Sequence, residues 1–395
     1  MDDLELEPHA VAVGGDAVAR AADGRVVFVT GALPGELVVA RVTEERDRFL
    51  RADAIDVRRA SPDRVVPSCP HVADGCGGCG FAHVAPAAQV AAKVVMVTDA
   101  LERIGRLSGP VVVAGPSLDP LGARTTVRAG VVAGRGGLRR ARSHDHLAVT
   151  SCEVSHPALA EMLVDGRFGT AREVTLRVGA RTGERLALID PTAVDVALPA
   201  DVLVVGADEL RAGRRAWIHE EVAGHTWRIS ADAFFQTRPD GAEALVDLVG
   251  DALADVAPDA PVADLYAGVG LFAGTVGRGH PVVAVERSRA SVADARVNLA
   301  GGDVRIVRAA VERWRPSPAR AVVADPARSG LGRHGVAAVN GTGATHLALV
   351  SCDAGSLGRD AALLGAAGWV LERATVVDLF PQTPHVEVVS RFVRG

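Results

Sequence analysis

The sequence predicts an α/β fold: a Rossmann-like, doubly wound domain in the C-terminal part, preceded by a small OB-like β-barrel and a β-rich central module. Two patterns carry this. From about residue 226, apolar strand-like runs alternate with helical stretches, as in a parallel sheet with crossover helices. Residues 9 to about 60 instead show short Val-rich runs of period two, separated by Gly and Pro, as in a small barrel. The chain has 395 residues, which allows two or three domains of ordinary size.

The barrel elements are Val11-Ala-Val-Gly-Gly, Val26-Val-Phe-Val, Leu37-Val-Val-Ala-Arg-Val and Ala52-Asp-Ala-Ile-Asp-Val. A Pro-rich joint follows at Ser61-Pro-Asp-Arg-Val-Val-Pro67, then a Cys-rich loop. Gln89, Lys93, Val97 and Leu101 recur about once per turn, so residues 85–106 are expected to be helical and to pack on the C-terminal domain. Val111-Val-Val-Ala, Val127 to Val132, Val174-Thr-Leu-Arg-Val and Leu186-Ala-Leu-Ile are read as strands of the central β module. The last part has strands at Val262-Ala-Asp-Leu, Val282-Val-Ala-Val, Ala321-Val-Val-Ala and Leu347-Ala-Leu-Val, with helices at 243–255, 289–299 and 356–366. The resulting division is 1–60, 61–225 and 226–395.

With 48% hydrophobic and 23% charged residues, the composition is globular and excludes disorder and collagen. No run of about 18 uncharged apolar residues occurs, and the acidic start lacks the features of a signal peptide, so a cytoplasmic protein without membrane contact is expected. Five cysteines are too few for a disulfide scaffold in so long a chain; clustered cysteines then point to metal or to chemistry. A formal charge of −5 argues against nucleic acid only globally. Of 43 basic residues one is lysine, Lys93, and six arginines (124, 128, 135, 139, 140 and 142) crowd one short segment. Arginine forks phosphates and stacks on bases, so this segment is a candidate RNA surface.

In Val262-Ala-Asp-Leu-Tyr-Ala-Gly-Val-Gly-Leu-Phe272 a buried strand runs into a Gly-x-Gly turn, where a ligand can approach the backbone. The next strand ends in Glu286, placed like the acid that bonds a ribose hydroxyl in such sheets. A dinucleotide site would favour a third glycine where Ala273 stands, so an adenosyl ligand without pyrophosphate, S-adenosylmethionine, suits the motif better. Asp325-Pro-Ala-Arg-Ser-Gly330, Val350-Ser-Cys-Asp353 and Pro381-Gln-Thr-Pro-His-Val-Glu387 all follow strands and should share the ligand edge. Cys352 is a candidate nucleophile there if its setting is polar and partly open. Cys69, Cys76, Cys79 and Cys152 supply four thiolates, suited to zinc or an iron-sulfur cluster; spacing does not separate these. The two glycines between Cys76 and Cys79 would let the backbone approach a bulky cluster.

Taken in order, Asp-Leu-Tyr-Ala-Gly-Val-Gly-Leu-Phe, Asp-Pro-Ala-Arg-Ser-Gly, Val-Ser-Cys-Asp and Asp378-Leu-Phe-Pro-Gln-Thr-x-His-Val-Glu resemble the motifs of the RNA uracil-5-methyltransferases. Gly35 in Ala32-Leu-Pro-Gly-Glu36, Ser61-Pro-Asp-Arg64 and Cys-Gly-Gly-Cys resemble that family's TRAM domain and cluster loop. The resemblance implies a TRAM β-barrel, a central module holding a [4Fe-4S] cluster on the four cysteines, and a methyltransferase domain. It implies Cys352 as nucleophile and Glu387 as base, with Gln236, Tyr266, Glu286 and Asp325 on S-adenosylmethionine, and Arg328 against the uracil or a phosphate. RNA is the implied partner, ribosomal RNA ahead of tRNA, and the chain is expected to act as a monomer. A weakly catalytic RNA-binding or assembly protein is the alternative outside enzymes.

The sequence departs from that pattern in four places. Ala327 and Ala354 replace prolines, and Arg308-Ala-Ala310 lacks an acid expected near the adenine. Asp353 stands where the family commonly has Asn; an anion beside the nucleophile is expected to raise the thiol pKa and slow the reaction.

Overall fold

The computed structural model describes residues 3–395. Strands Asp3–Leu6, Ala10–Val11, Ala17–Arg20, Val26–Thr30, Leu37–Glu45 and Phe49–Arg59 form one six-stranded N-terminal sheet. Its strands alternate as the period-two pattern requires: Val38, Ala40 and Val42 face inward to Val27, Val29, Leu50 and Ala52. The motif residues at its exit bind each other. Glu36, fully buried, accepts from Arg64 Nε (2.5 Å) and Nη2 (2.7 Å), Leu33 N (2.8 Å) and Ser61 N (3.1 Å). Burial opposes its charge, but the guanidinium and the two backbone N–H groups outweigh it and hold the carboxyl below its ordinary value. The Pro-rich joint is thereby latched to the sheet.

The central module is a six-stranded sheet in the order His146–Ala148, Arg135–Arg139, Thr126–Val132, Glu173–Val178, Arg185–Asp190, Val202–Gly206. Helix Pro157–Asp165 covers it through Leu159, Met162 and Leu163, packed among Phe168, Val174, Leu176 and Ile189.

The C-terminal sheet has eight strands in the order Val304–Arg308, Val282–Glu286, Val262–Leu265, Ala321–Ala324, His346–Ser351, Glu387–Val393, Val370–Val377, Val112–Ala114. The first five are parallel, and Glu387–Val393 runs antiparallel to both neighbours. Val262–Leu265 and Ala321–Ala324 are buried at every position, as strands covered on both faces must be. The order reverses between Val262–Leu265 and Ala321–Ala324, the switch point at which such sheets bind ligands.

One strand joins a different sheet from the one expected. Val112–Ala114 pairs with Val370–Val377 and not with the central strands. It follows helix Pro86–Arg103, which lies against helix Ala354–Ala366; a Cβ on Gly358 would stand 2.6 Å from Ala100 O, so the glycine is what lets the two helices meet. An edge strand of three residues carries no periodicity that could assign it to a sheet, and here its preceding helix decides.

Candidate active site

Sheet register brings the candidate residues together. Leu265 lies beside Val285 and Ala324, so one step further along the strands Tyr266 stands between Glu286 and Asp325. Ser351 pairs with Val388 on the antiparallel neighbour, and continuing one step sets Cys352 opposite Glu387. Residues 35 positions apart in the chain thus meet across one ladder. A single pocket is lined by Cys352, Glu387, Asp325, Gln236, Tyr266 and Glu286, together with Arg328.

The pocket is acidic and dry on one side. Glu387 is 3% exposed. Burial first and the Asp325 charge second raise its pKa well above the carboxylate range. Burial likewise pushes Asp325 up to about 7. Gln236 Nε2 donates to Asp325 Oδ2 at 3.2 Å. The half-buried Cys352 thiol is pushed up to about 11, by burial first, then by Glu387 and Asp325. Asp353 raises it too, in the expected direction, but contributes least of the three acids. Its carboxylate caps helix Ala354–Ala366, accepting from Ser356 N (2.7 Å) and Ser356 Oγ (2.9 Å), and it meets Arg328 Nε at 3.4 Å. Asn and Asp are equally good N-caps, so this departure keeps the helix start and has much of its charge compensated.

The Gly-x-Gly turn forms a cradle. Gly268 sits at φ +55° with open space where a Cβ would be, and its N–H donates to Glu286 Oε2 at 3.0 Å. Ser288 N donates to Glu286 Oε1 at 2.5 Å, so two backbone groups aim this carboxylate at the pocket while lone pairs stay free. Asp264, fully buried and pushed up to about 8 by burial, accepts from Ala273 N at 2.9 Å and leaves Oδ1 without a partner. The missing acid at Arg308-Ala-Ala310 has a neighbour that the sequence pattern did not flag. Glu312 lines the same pocket and accepts from Tyr266 Oη at 3.3 Å. It stands just beyond that segment, on the short 3₁₀ turn Val311–Arg313, which hid it. Phe234, 64% exposed at the pocket, and Phe380 are the apolar walls.

A second cavity is lined by Cys69, Cys76, Cys79 and Cys152, with Leu138, Val149, Arg124 and Gln382. Among the described residues no group of three or more His, Cys, Asp or Glu is arranged to hold a metal ion. Burial pushes the Cys79 thiol up to about 12, opposed by Arg124. Ser155 Oγ lies 3.1 Å from Cys152 Sγ. The glycine expectation needs correction. A Cβ on Gly77 would meet Ala141 N at 2.9 Å and Arg139 O at 3.1 Å, so this glycine serves the packing of the loop on the arginine hairpin; Gly78 sits in ordinary contact with Cys76 Sγ.

The arginine-rich segment is only partly available to a ligand. Arg128 pairs with Glu173, Arg140 Nη1 donates to Asp74 O at 2.6 Å, and Arg142 forks Asp53 of the N-terminal sheet. All five of Arg128, Arg135, Arg139, Arg140 and Arg142 are exposed, three of them with these partners, while the half-buried Arg124 turns toward the thiol cavity. The segment thus fastens modules together as well as presenting charge. Among the described residues no helix is long and apolar enough to cross a membrane.

Comparison with known proteins agrees along the whole chain. Residues 10–55 match the TRAM domain. An RNA methyltransferase of Streptomyces avermitilis is 35% identical, covering 98% of both chains. The 23S rRNA (uracil(1939)-C(5))-methyltransferase RlmD of Methylococcus capsulatus is 34% identical, covering 94% of this chain and 93% of that one. Among solved structures, the Pyrococcus abyssi tRNA (uracil-54, C5)-methyltransferase in complex with S-adenosyl-L-homocysteine superposes with a TM-score of 0.74, covering 98% of this chain and 99% of that one at 22% identity. At that identity the likeness speaks for the fold.

Proposed function

The chain belongs to the RNA uracil-5-methyltransferase family, and on that footing we propose that it methylates C5 of a uridine in ribosomal RNA, with Cys352 as nucleophile and Glu387 as base. The observation that carries this is the ladder that sets Cys352 opposite Glu387 at one end of the pocket whose other end is the Gly268 cradle.

Uracil C5 is a weak nucleophile. Addition of the Cys352 thiolate at C6 moves electron density to O4 and C5, and covalent catalysis divides one hard step into easier ones. S-adenosylmethionine, when bound, supplies the electrophilic methyl group that C5 takes up. Glu387 then accepts the C5 proton; that electron pair re-forms the C5–C6 double bond, the C6–S bond breaks, and its pair returns to Cys352 as thiolate. A carboxylate with a raised pKa is the stronger base for this purpose. The cradle fits the cofactor: Gly268 leaves room at the backbone and Glu286 faces the pocket. Tyr266, Glu286, Gln236 and Asp325 would hold it, Asp325 lying nearest the reacting centre, and Arg328 would face the uracil or its phosphate. The base must be unstacked to reach Cys352.

The four thiols would hold a [4Fe-4S] cluster. What supports this is that all four cysteines line one cavity, as the family resemblance requires, and the donors must lose their protons to bind. The same reading divides the chain into a TRAM barrel (1–60), a central cluster module (61–225, apart from helix Pro86–Arg103 and strand Val112–Ala114, which join the C-terminal sheet) and a methyltransferase domain (226–395). Ribosomal RNA is favoured over tRNA by the named relative that shares nearly the whole chain.

Labelled S-adenosylmethionine and total RNA, followed by nucleoside analysis of separated rRNA and tRNA, test this. The expected result is label in 5-methyluridine of rRNA that vanishes with Cys352→Ala. Label in tRNA would move the target, and binding without label would leave an RNA-binding module.

A further inference from the structure

The loop that leads to Glu387 is fastened from three directions. Helix Pro86–Arg103 supplies two buried polar side chains one turn apart on one face, Gln89 and Lys93, 1% and 0% exposed. Lys93 Nζ donates to Asp378 Oδ1 at 2.5 Å and to Phe380 O at 3.0 Å. Gln89 grips Gln382 from both sides: Gln382 N donates to Gln89 Oε1 at 2.8 Å, and Gln89 Nε2 donates to Gln382 Oε1 at 3.1 Å. Phe81 N donates to Gln382 O at 2.8 Å. Gln382 needs this grip, because it stands at φ +64°, a left-handed conformation that persists in a non-glycine residue only when its surroundings impose it. On the remaining side the barrel itself arrives. Gly15 (φ +96°) packs so closely that a Cβ there would stand 2.5 Å from Pro384 and 2.8 Å from Phe81.

We propose that Gln89 and Lys93 are positioning residues for proton abstraction: by fixing residues 378–387 they hold the Glu387 carboxylate on the C5 side of the bound uracil. A polar side chain buried on a helix gains nothing from an apolar surround, and the side-chain hydrogen bonds of these two go, among the described residues, to the Phe81–Val84 turn and this loop. The adjacent wall of the pocket, Phe380, is set by the same Lys93 contact to its carbonyl. The inference rests on the covalent route proposed above, in which loss of the base stalls the reaction after C5 has been methylated, with RNA still joined to Cys352.

The test uses the full chain, labelled S-adenosylmethionine, and RNA extracted from cells lacking this gene. After denaturation and ribonuclease digestion, label on the protein is separated from label in free nucleoside. Gln89→Leu is one variant. The other is Lys93→Met with Asp378→Leu, which removes both charges so that neither is left buried alone. Thermal melting checks that each folds. Misplacement of a catalytic group typically lowers turnover about 10- to 100-fold. The expected result is a fall of that size, an unchanged KM for S-adenosylmethionine, and label accumulating on the protein as it does with Glu387→Gln. The proposal is overturned if the folded variants turn over at the parent rate. It is equally overturned if they lose turnover without protein-bound label while Glu387→Gln retains it. If Glu387→Gln retains none, the covalent reading itself fails, and the role assigned to Gln89 and Lys93 falls with it.

Discussion

The two cysteine environments differ in what surrounds thiols of similar reluctance. Burial raises the pKa of Cys352 and of Cys79 alike, to about 11 and about 12. Around Cys352 the next influences are carboxylates, Glu387 and Asp325, both raised above the ordinary carboxylate range by burial, Asp325 to about 7. Around Cys79 they are one cation, Arg124, and the other thiols. The first setting suits a thiol that loses and regains its proton during a cycle. The second suits thiols that lose theirs once, to cations that stay. Residue type does not distinguish the two roles; neighbours do.

The largest effect that would break this contrast is at the nucleophile. Cys352→Ala is expected to lower 5-methyluridine formation by at least ~10⁴-fold, as removal of a covalent nucleophile does elsewhere, while the melting temperature moves little. An active Cys352→Ala enzyme would end the distinction. Cys79→Ser should show the opposite profile. Iron content and visible absorbance of anaerobically prepared protein should drop and the melting temperature fall, with any loss of turnover following the loss of folded protein. Iron-free wild-type protein of full stability would remove the cluster from the second cavity.

The proton traffic can be sharpened with pH. Glu387 must be ionised to accept the C5 proton, and its pKa is raised by burial and by Asp325, so the single-turnover rate should fall as pH drops, with an acid limb above the range of an ordinary carboxylate. Asp325→Asn removes the like charge, lowers the Glu387 pKa, and should move that acid limb to lower pH even though the rate at the plateau falls. A limb that stays in place would mean that the two carboxyls do not interact. The smallest effect is expected at Asp353→Asn. The cap survives, so stability should change by less than ~0.5 kcal/mol, and the rate should change less than about threefold because Ser356 and Arg328 already hold the charge. A large rise in rate would make Asp353 a strong brake on the thiolate.

Much of the site was legible because it is built from strand ends. In a parallel sheet, a residue just past an apolar run must lie on the ligand edge, so Glu286, Asp325 and Cys352 could be placed together from spacing alone. Glu387 was different: it opens an antiparallel strand, and its motif, not its periodicity, marked it. Glu312 escaped because a 3₁₀ turn has no pattern to read, and Lys93 was visible as the single lysine without a role.

The sequence by itself determined the strand and helix order, the barrel pattern and the residue types available for thiol and carboxylate chemistry, because these follow from local periodicity and composition. Only the tertiary structure decided what each of them touches. It placed Val112–Ala114 in the C-terminal sheet, turned half of the arginine segment into fasteners, made Asp353 a helix cap, and brought Gly15, Phe81, Gln89 and Lys93 onto one loop. Each of these contacts joins residues far apart in the chain. Which partner such a side chain meets is set by how sheets and helices pack, and no local pattern encodes it.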